Sequence, residues 1–389
     1  MKFLSADFIL SPEGKLVPNA MVVLNPRAYV VDFLQPDSES LPDPQNVQHH
    51  KGVIIPGLVN AHCKLEISLI KRKIPVGTGM SGFIKSLVKE RNATEKVRME
   101  ALEQGDREME ENGIVAVGDI CNTSDTRAVK LRGKIRYRNF VEVFDLKPDR
   151  AAESFEAGLK ISNAFSPLET SLVPHAPYTV SPALLQLLVK TWRENDVLSI
   201  HFMESLGERD WFLSNTGDLK ESFLKMDLTP EWMGENQDAW FKNLNRAFGK
   251  RKSILVHGTY LDKVWLERIR LSEMILCTCP SANLYIENTL PDYREWINSG
   301  PEVCIGTDSL ASNHALSVLR EVGVIFKHFP DLNPGLVLNW ATLNGARALG
   351  FDDELGSFER GKSPGVFLIP EWDGTTASFS GSVKPLSLI

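Results

Sequence analysis

The 389-residue sequence predicts an α/β protein: a (β/α)8 barrel with a small flanking β-sandwich built from both chain ends. Three observations carry this expectation. Between residues 53 and 308, short apolar strand-like runs alternate with stretches of helical periodicity. Polar, ionisable residues gather directly after those runs, as they do where barrel strands deliver side chains to one mouth. No Gly-rich phosphate loop follows the first run, although a doubly wound open sheet would carry one.

Residues 1–52 read as short strands, Phe3–Leu10, Leu16-Val17, Met21–Leu24 and Tyr29–Phe33, with a turn at Ser11-Pro12-Glu13-Gly14. Residues 34–50, rich in Pro, Asp, Ser and Gln, read as an exposed connection. This segment is too small to form its own core. The tail supplies a partner, because 355–362 and Gly365–Leu368 again read as turn and strand. The expected division is therefore 1–55 with 353–389 for the small β domain, and 56–352 for the barrel. Barrel strands are expected at Val53–Val59, Ile114–Ile120, Ile135–Phe144, Ser171–Pro174, Val197–Phe202, Ser253–Val256, Met274–Cys277 and Val303–Gly306. Helices are expected over Gly82–Asn112, Arg150–Ala164, Pro182–Glu194, Pro230–Phe248, Asp262–Arg270, Ala315–Lys327 and Pro334–Ala348.

Composition narrows the function. A hydrophobic fraction of 43% and a charged fraction of 24% are ordinary for a soluble globular protein. A formal charge of −7 and a pI near 5.7 argue against nucleic acid or anionic membrane as partners. No window approaches 18 uncharged apolar residues, so no membrane span is expected, and the first residues lack the pattern of a signal peptide. The five cysteines (63, 121, 277, 279, 304) are scattered through strand-like runs, which suits reduced thiols and a cytoplasmic location. Cys277-Thr278-Cys279 has no second pair to complete a zinc site and reads as core.

The ionisable residues then fall into a pattern. His62, Lys64 and Glu66 follow strand 1 and share one parity, so they leave on one face if the strand continues that far. Asp119 ends strand 2, His175 follows strand 4, His201 ends strand 5 with Glu204 just beyond, His257 follows strand 6, and Asp308 follows strand 8. Four of the eight histidines thus sit at expected strand C-termini, the end where barrels carry their sites. The other four, His49, His50, His314 and His328, read as ordinary surface or hydrogen-bonded residues. Neutral imidazoles with one carboxylate suit Zn²⁺ or Fe²⁺ with an open position for water, whose pKa such an ion lowers toward about 7. A carboxylate beside the ion, the place of Glu204, can pass a proton from that water to a leaving amine, and His257 can hold or polarise the water.

The words Pro56-Gly57-Leu58-Val59-Asn60-Ala61-His62, Pro174-His175-Ala176-Pro177-Tyr178-Thr179 and His201-Phe202-Met203-Glu204-Ser205 go further. So do His257-Gly258, Cys279-Pro280-Ser281-Ala282-Asn283, Gly306-Thr307-Asp308-Ser309-Leu310-Ala311-Ser312-Asn313 and the tail word from Gly356 to Lys362. With them the chain resembles the amidohydrolase superfamily over nearly its whole length. The similarity lies in the branch containing cytosine and guanine deaminases, triazine chlorohydrolases, S-adenosylhomocysteine deaminases and aminodeoxyfutalosine deaminases. The resemblance implies a barrel with a flanking sandwich, a homodimer, and a metal-dependent hydrolase acting on a C–N bond outside peptides. The preferred substrate is a small molecule, an amino-purine-like nucleoside such as aminodeoxyfutalosine. The resemblance makes His62, His201 and Asp308 the metal ligands, Glu204 the proton carrier, and His257 the water-orienting residue, with Asp308 also accepting a proton. On the same grounds His175 is a substrate contact, and Glu66, Asn283 and Ser309 are further candidates for substrate binding.

Two positions depart from the family pattern. Where the family has His-x-His after strand 1, the second position here is Lys64. An ammonium about 4 Å from a divalent ion is opposed by about 8 kcal/mol at an effective dielectric near 20. Neutralising it at pH 7 costs about 4–5 kcal/mol. Three arrangements stand open: Lys64 coordinates as a free amine, it swings aside while three ligands hold the metal, or its charge replaces the metal. The last leaves a non-catalytic or repurposed barrel. Among enzymes, the alternative to the deaminase is a hydrolase of another heterocycle or cyclic amide. Ser281 stands where many relatives carry Arg, which bears on substrate choice.

Overall fold

The computed structural model describes residues 1–90, 92–228, 230, 232–233 and 237–389. Five strands come first: β1 (Lys2–Leu10), β2 (Leu16–Pro18), β3 (Met21–Leu24), β4 (Val30–Leu34) and β5 (Val47–Pro56). Eight short strands follow, separated mostly by helices: β6 (Leu58–Cys63), β7 (Ile114–Cys121), β8 (Arg136–Val143), β9 (Thr170–Pro174), β10 (Leu198–Phe202), β11 (Ser253–His257), β12 (Ile275–Thr278) and β13 (Val303–Ile305). Strands β14 (Val366–Pro370) and β15 (Leu386–Ser387) complete the described elements.

The eight middle strands form two four-stranded parallel sheets, ordered β6-β7-β8-β9 and β10-β11-β12-β13. Their apolar runs are almost wholly buried, as expected of parallel strands covered on both faces. Main-chain hydrogen bonds join the two sheets at both edges. At one edge Thr307 and Asp308 N–H both donate to His62 O at 3.0 Å; at the other, His201 N–H donates to His175 O at 2.9 Å. Asn60 reinforces the first seam. Its amide donates to Thr307 Oγ1 at 2.8 Å and its side-chain carbonyl accepts from Thr307 N–H at 2.9 Å. Gly306 permits the approach, because a Cβ there would lie 2.7 Å from both Cβ and O of His62. The backbone segments carrying His62 and Asp308 are therefore locked together by the fold itself.

Both chain ends enter one seven-stranded mixed sheet, ordered β15-β14-β5-β1-β3-β4 with β2 on β1. Strand β14 runs antiparallel to β5, Val366 opposite Pro56. Leu4, Ile9, Val22, Leu24, Ile54, Phe358 and Leu368 pack as a separate small core there. The expected pairing of the two ends is present.

Several expected boundaries differ. The run Val53–Val59 divides at Gly57, with β5 in the terminal sheet and β6 in the parallel one. A Cβ at Gly57 would meet Val115 Cγ1 at 2.4 Å and Pro364 O at 2.6 Å, so the chain changes sheets where only glycine fits. Residues 47–50 are not loop: they extend β5 and pair in parallel with β1. The expected helix 82–112 is two helices, Gly79–Glu90 and Glu95–Glu111, the second capped by Thr94 Oγ1 accepting from Val97 N–H. Arg91 lies outside the described residues. The expected helix 230–248 is observed as Gln237–Phe248, with residues 231 and 234–236 outside the described set. Helix 334–348 splits at Thr342, whose φ −131° and ψ −91° interrupt it. Helices Leu206–Ser214, Asp218–Lys225, Pro280–Glu287 and Tyr293–Ser299 are additional to the expected ones. All five cysteines are free and buried. No helix among the described residues is long and apolar enough to cross a membrane.

The seam makes a prediction. Asn60→Ala removes both buried side-chain bonds to Thr307, leaving its N–H only the bond to His62 O, and is expected to lower stability by about 1–3 kcal/mol. Denaturant unfolding reads this directly; an unchanged midpoint would contradict the seam's role.

Candidate active site

The C-terminal ends of the parallel strands bring four predicted residues together. His62 is on β6, His201 on β10, His257 on β11, and Asp308 follows β13. Ring centroids of His62 and His201 are 5.0 Å apart, of His62 and His257 5.8 Å, and of His201 and His257 5.6 Å. One ring nitrogen from each of the three lies within 4.8 Å of the others. Asp308 Oδ1 is 3.4 Å from His62 Nε2. Two of the three outer ring nitrogens are spoken for: His201 Nδ1–H donates to His175 O at 2.9 Å, and His257 Nδ1–H donates to Asn283 Oδ1 at 2.9 Å. Each bond fixes a tautomer and turns the Nε2 lone pair inward.

Burial sets the charge states. It drives His62 down to about 4 despite the neighbouring Asp308, and it takes His201 well below the usual imidazole range. Both are therefore neutral at pH 7, the form that binds metal. For Asp308 burial acts upward, but Lys64 and His62 outweigh it and hold the carboxyl well below its ordinary value. Glu204 Oε1 lies 3.3 Å from His257 Nε2, and burial holds its carboxyl above the ordinary range.

A divalent ion fits this donor set. His62 Nε2, His201 Nε2, His257 Nε2 and Asp308 Oδ1 are buried without a hydrogen-bond partner. Converging buried donors of this kind are costly unless a further group satisfies them, and neutral imidazoles with a carboxylate match a d-block cation. The competing cation is Lys64, whose Nζ is 3.3 Å from Asp308 Oδ1. Burial opposes its charge, yet Asp308, Glu142 and Glu204 together raise its pKa. Lys64 stands here as an ammonium paired with Asp308.

The remaining predicted residues lie around this cluster. His175 Nδ1–H donates at 2.7 Å to Thr179 Oγ1, whose hydroxyl donates to Ala176 O at 3.2 Å, and the His175 ring is 5.0 Å from that of His201. Asn283 reaches the site through His257. Ser309 Oγ is 3.2 Å from Ser312 Oγ, which in turn donates to Asp308 Oδ2. The shared parity of His62, Lys64 and Glu66 fails beyond Cys63, where the strand ends and Leu65–Ile70 turns as a 3₁₀ helix. Glu66 accordingly points to the loop after β7, accepting from Asn122 N–H at 2.8 Å and Thr123 N–H at 3.0 Å. Asp119 supports that turn. Its Oδ1 accepts from Leu65 N–H at 2.8 Å while its Oδ2 is 2.5 Å from the buried ammonium of Lys130.

Residues missed from sequence include Glu142, Lys130 and Glu287. Glu142 on β8 places Oε2 3.6 Å from His201 Nδ1, and Asn122 donates to its Oε1 at 3.1 Å. Its signal was a carboxylate at the C-terminal end of a strand-like run, after Phe140-Val141. Glu287 accepts from Met80 and Leu206 N–H at 3.1 Å and from Tyr260 OH at 2.9 Å, tying together three segments around the mouth.

The sequence model of the amidohydrolase family matches residues 53–384, and the chain belongs to that family. Within it the chain is 27% identical over 331 residues to a 5'-deoxyadenosine deaminase of Methanococcus maripaludis, covering 80% of this chain and 72% of that one. A crystal structure of Helicobacter pylori aminofutalosine deaminase in complex with methylthio-coformycin superimposes with a TM-score of 0.81 at 22% identity, over 99% of this chain and 97% of that one. An adenosine deaminase from Xanthomonas campestris with bound zinc gives a TM-score of 0.70 at 20% identity, over 94% and 86%.

The support beneath the site is testable. Lys130→Met leaves the buried Asp119 carboxylate without its cation and is expected to cost about 3–5 kcal/mol of stability. A loss below about 1 kcal/mol in denaturant unfolding would contradict the role given to this pair.

Proposed function

We propose that the protein is a metal-dependent deaminase of adenine-type nucleosides, with aminodeoxyfutalosine or a 5'-modified relative as the preferred class. The observation that carries this reading is the Glu204 carboxyl, 3.3 Å from His257 Nε2, beside the buried Asp308 carboxylate and the Nε2 atoms of His62 and His201, which have no hydrogen-bond partner. Such a pair supplies what amine departure needs, a group that moves a proton next to one that holds water. The names of the similar proteins support the same substrate class. In this reading the two parallel sheets are halves of one (β/α)8 barrel, residues 56–352, flanked by a sandwich from 1–55 and 353–389.

His62, His201 and Asp308 would hold one Zn²⁺ or Fe²⁺, with Lys64 displaced from Asp308; the ion when bound supplies a water acidic enough to ionise at neutral pH. Glu204, its carboxyl raised by burial, takes a proton from the attacking water and delivers it to the departing amine, which leaves as ammonia. His257, oriented by Asn283, aligns the water. Asp308 accepts the water's second proton and returns it to the ring nitrogen of the product, so that both protons of the water are accounted for. His175 and the Ser309 segment contact substrate.

A non-catalytic barrel is the second reading, and the Lys64–Asp308 pair favours it. Ammonia release separates the two. Wild type incubated with 5'-deoxyadenosine, methylthioadenosine, adenosine and aminodeoxyfutalosine is expected to deaminate at least one, and Glu204→Gln is expected to lose about 10²–10⁴-fold in kcat. No ammonia from any of them, with metal supplied, would contradict the reading.

A further inference from the structure

Strand β10 does not run smoothly into the helix that follows it. Met203, directly before Glu204, has φ +52°, a left-handed conformation that a side chain with a Cβ adopts only when its surroundings enforce it. The enforcing group is Glu208. Its Oε1 accepts from Met203 N–H at 3.1 Å and its Oε2 accepts from Glu204 N–H at 2.9 Å.

The sequence Ser205-Leu206-Gly207-Glu208 has the form of a capping box. Ser205 is the N-cap of Leu206–Ser214, and its hydroxyl accepts from Glu208 N–H at 3.0 Å. In an ordinary box the glutamate returns to the N–H of the N-cap residue. Here it reaches past Ser205 to the two residues before it, the strained Met203 and the proton carrier. Glu208 is almost completely buried, and burial pushes its carboxyl up to about 8. A solvated capping glutamate carries no such cost. On the far side Glu287 accepts from Leu206 N–H, so Glu204 sits in a turn clamped by carboxylates from two elements.

We propose that Glu208 is a positioning residue for Glu204: it holds Met203 left-handed and so keeps the Glu204 carboxyl against His257. The proposal rests on the reading of Glu204 as proton carrier. It assigns to Glu208 no contact with substrate. The left-handed residue turns the chain sharply after β10, and Glu208 compensates the two N–H groups that this turn exposes in the interior.

The test combines crystal structures of Glu208→Ala and Glu208→Gln with kcat and KM, using Ser205→Ala as the variant that removes only the helix cap. In Glu208→Ala, Met203 is expected to leave its left-handed conformation and Glu204 to move out of hydrogen-bond reach of His257 Nε2. Its kcat is expected to fall about 10²-fold, with KM within about twofold. Glu208→Gln offers one acceptor oxygen, so one of the two N–H bonds opens and kcat falls by about 10-fold; this variant carries the test if the alanine protein does not fold. Ser205→Ala is expected to lower Tm while leaving Met203 and kcat within about twofold of wild type. An unmoved turn in the Glu208 variants, or a kcat loss in Ser205→Ala equal to theirs, overturns the proposal. If wild type deaminates no nucleoside, the functional reading fails separately, and the crystal structures still decide: a shifted turn upholds the positioning role and an unmoved one overturns it.

Discussion

One buried carboxylate governs the site. Asp308 Oδ1 is shared by His62 Nε2 at 3.4 Å and Lys64 Nζ at 3.3 Å, and Ser312 donates to its other oxygen. An ionised carboxylate removed from water needs a positive partner at close range. Lys64 satisfies that need as the structure stands, and a divalent ion satisfies it in the proposed active form. Only one cation can occupy the position at full strength, because Coulomb repulsion between them amounts to several kcal/mol. Moving Lys64 aside leaves its charge among Glu142 and Glu204, two of the carboxylates that raise its pKa. A histidine at position 64 would bring no such competitor, so in the proposed active form the hold on an ion depends on where Lys64 rests.

The scaffold makes that competition a local one. His62 and Asp308 are joined through backbone bonds at the β6–β13 seam and through the Asn60–Thr307 pair, so neither can retreat from the other. Lys64 has more freedom. It follows the last strand residue and sits at the entrance to the 3₁₀ turn, which Asp119 and Lys130 hold from below. His62 and Asp308 are thus fixed by sheet geometry, whereas the ammonium of Lys64 hangs on a long side chain at a strand end. Rigid donors with a movable competitor form an arrangement that can hold an ion.

Much of this was legible in the sequence because strands buried on both faces read as apolar runs, and a histidine after such a run stands out. His62, His201, His257 and Asp308 converge as those runs implied. The less legible features depend on three-dimensional partners. Gly57 divides an unbroken apolar run because Val115 and Pro364 crowd it from distant parts of the chain. Glu66 rotates away because its N–H partners at Asn122 and Thr123 lie more than fifty residues on. Lys130 looks like an ordinary helical lysine until Asp119, Asn139 and Cys121 surround it. The helix Leu206–Ser214 carries weak periodicity and is ordered by packing around Trp211 against Phe223 of the next helix, Asp218–Lys225.

The most direct measurement is a crystal structure of wild-type protein purified without chelators, with anomalous data collected on both sides of the zinc and iron edges. One anomalous peak is expected among His62, His201 and Asp308, near full occupancy, with the Lys64 ammonium turned away from Asp308. Density free of any such peak after growth in zinc- and iron-supplemented medium, with Lys64 still paired to Asp308, would contradict it.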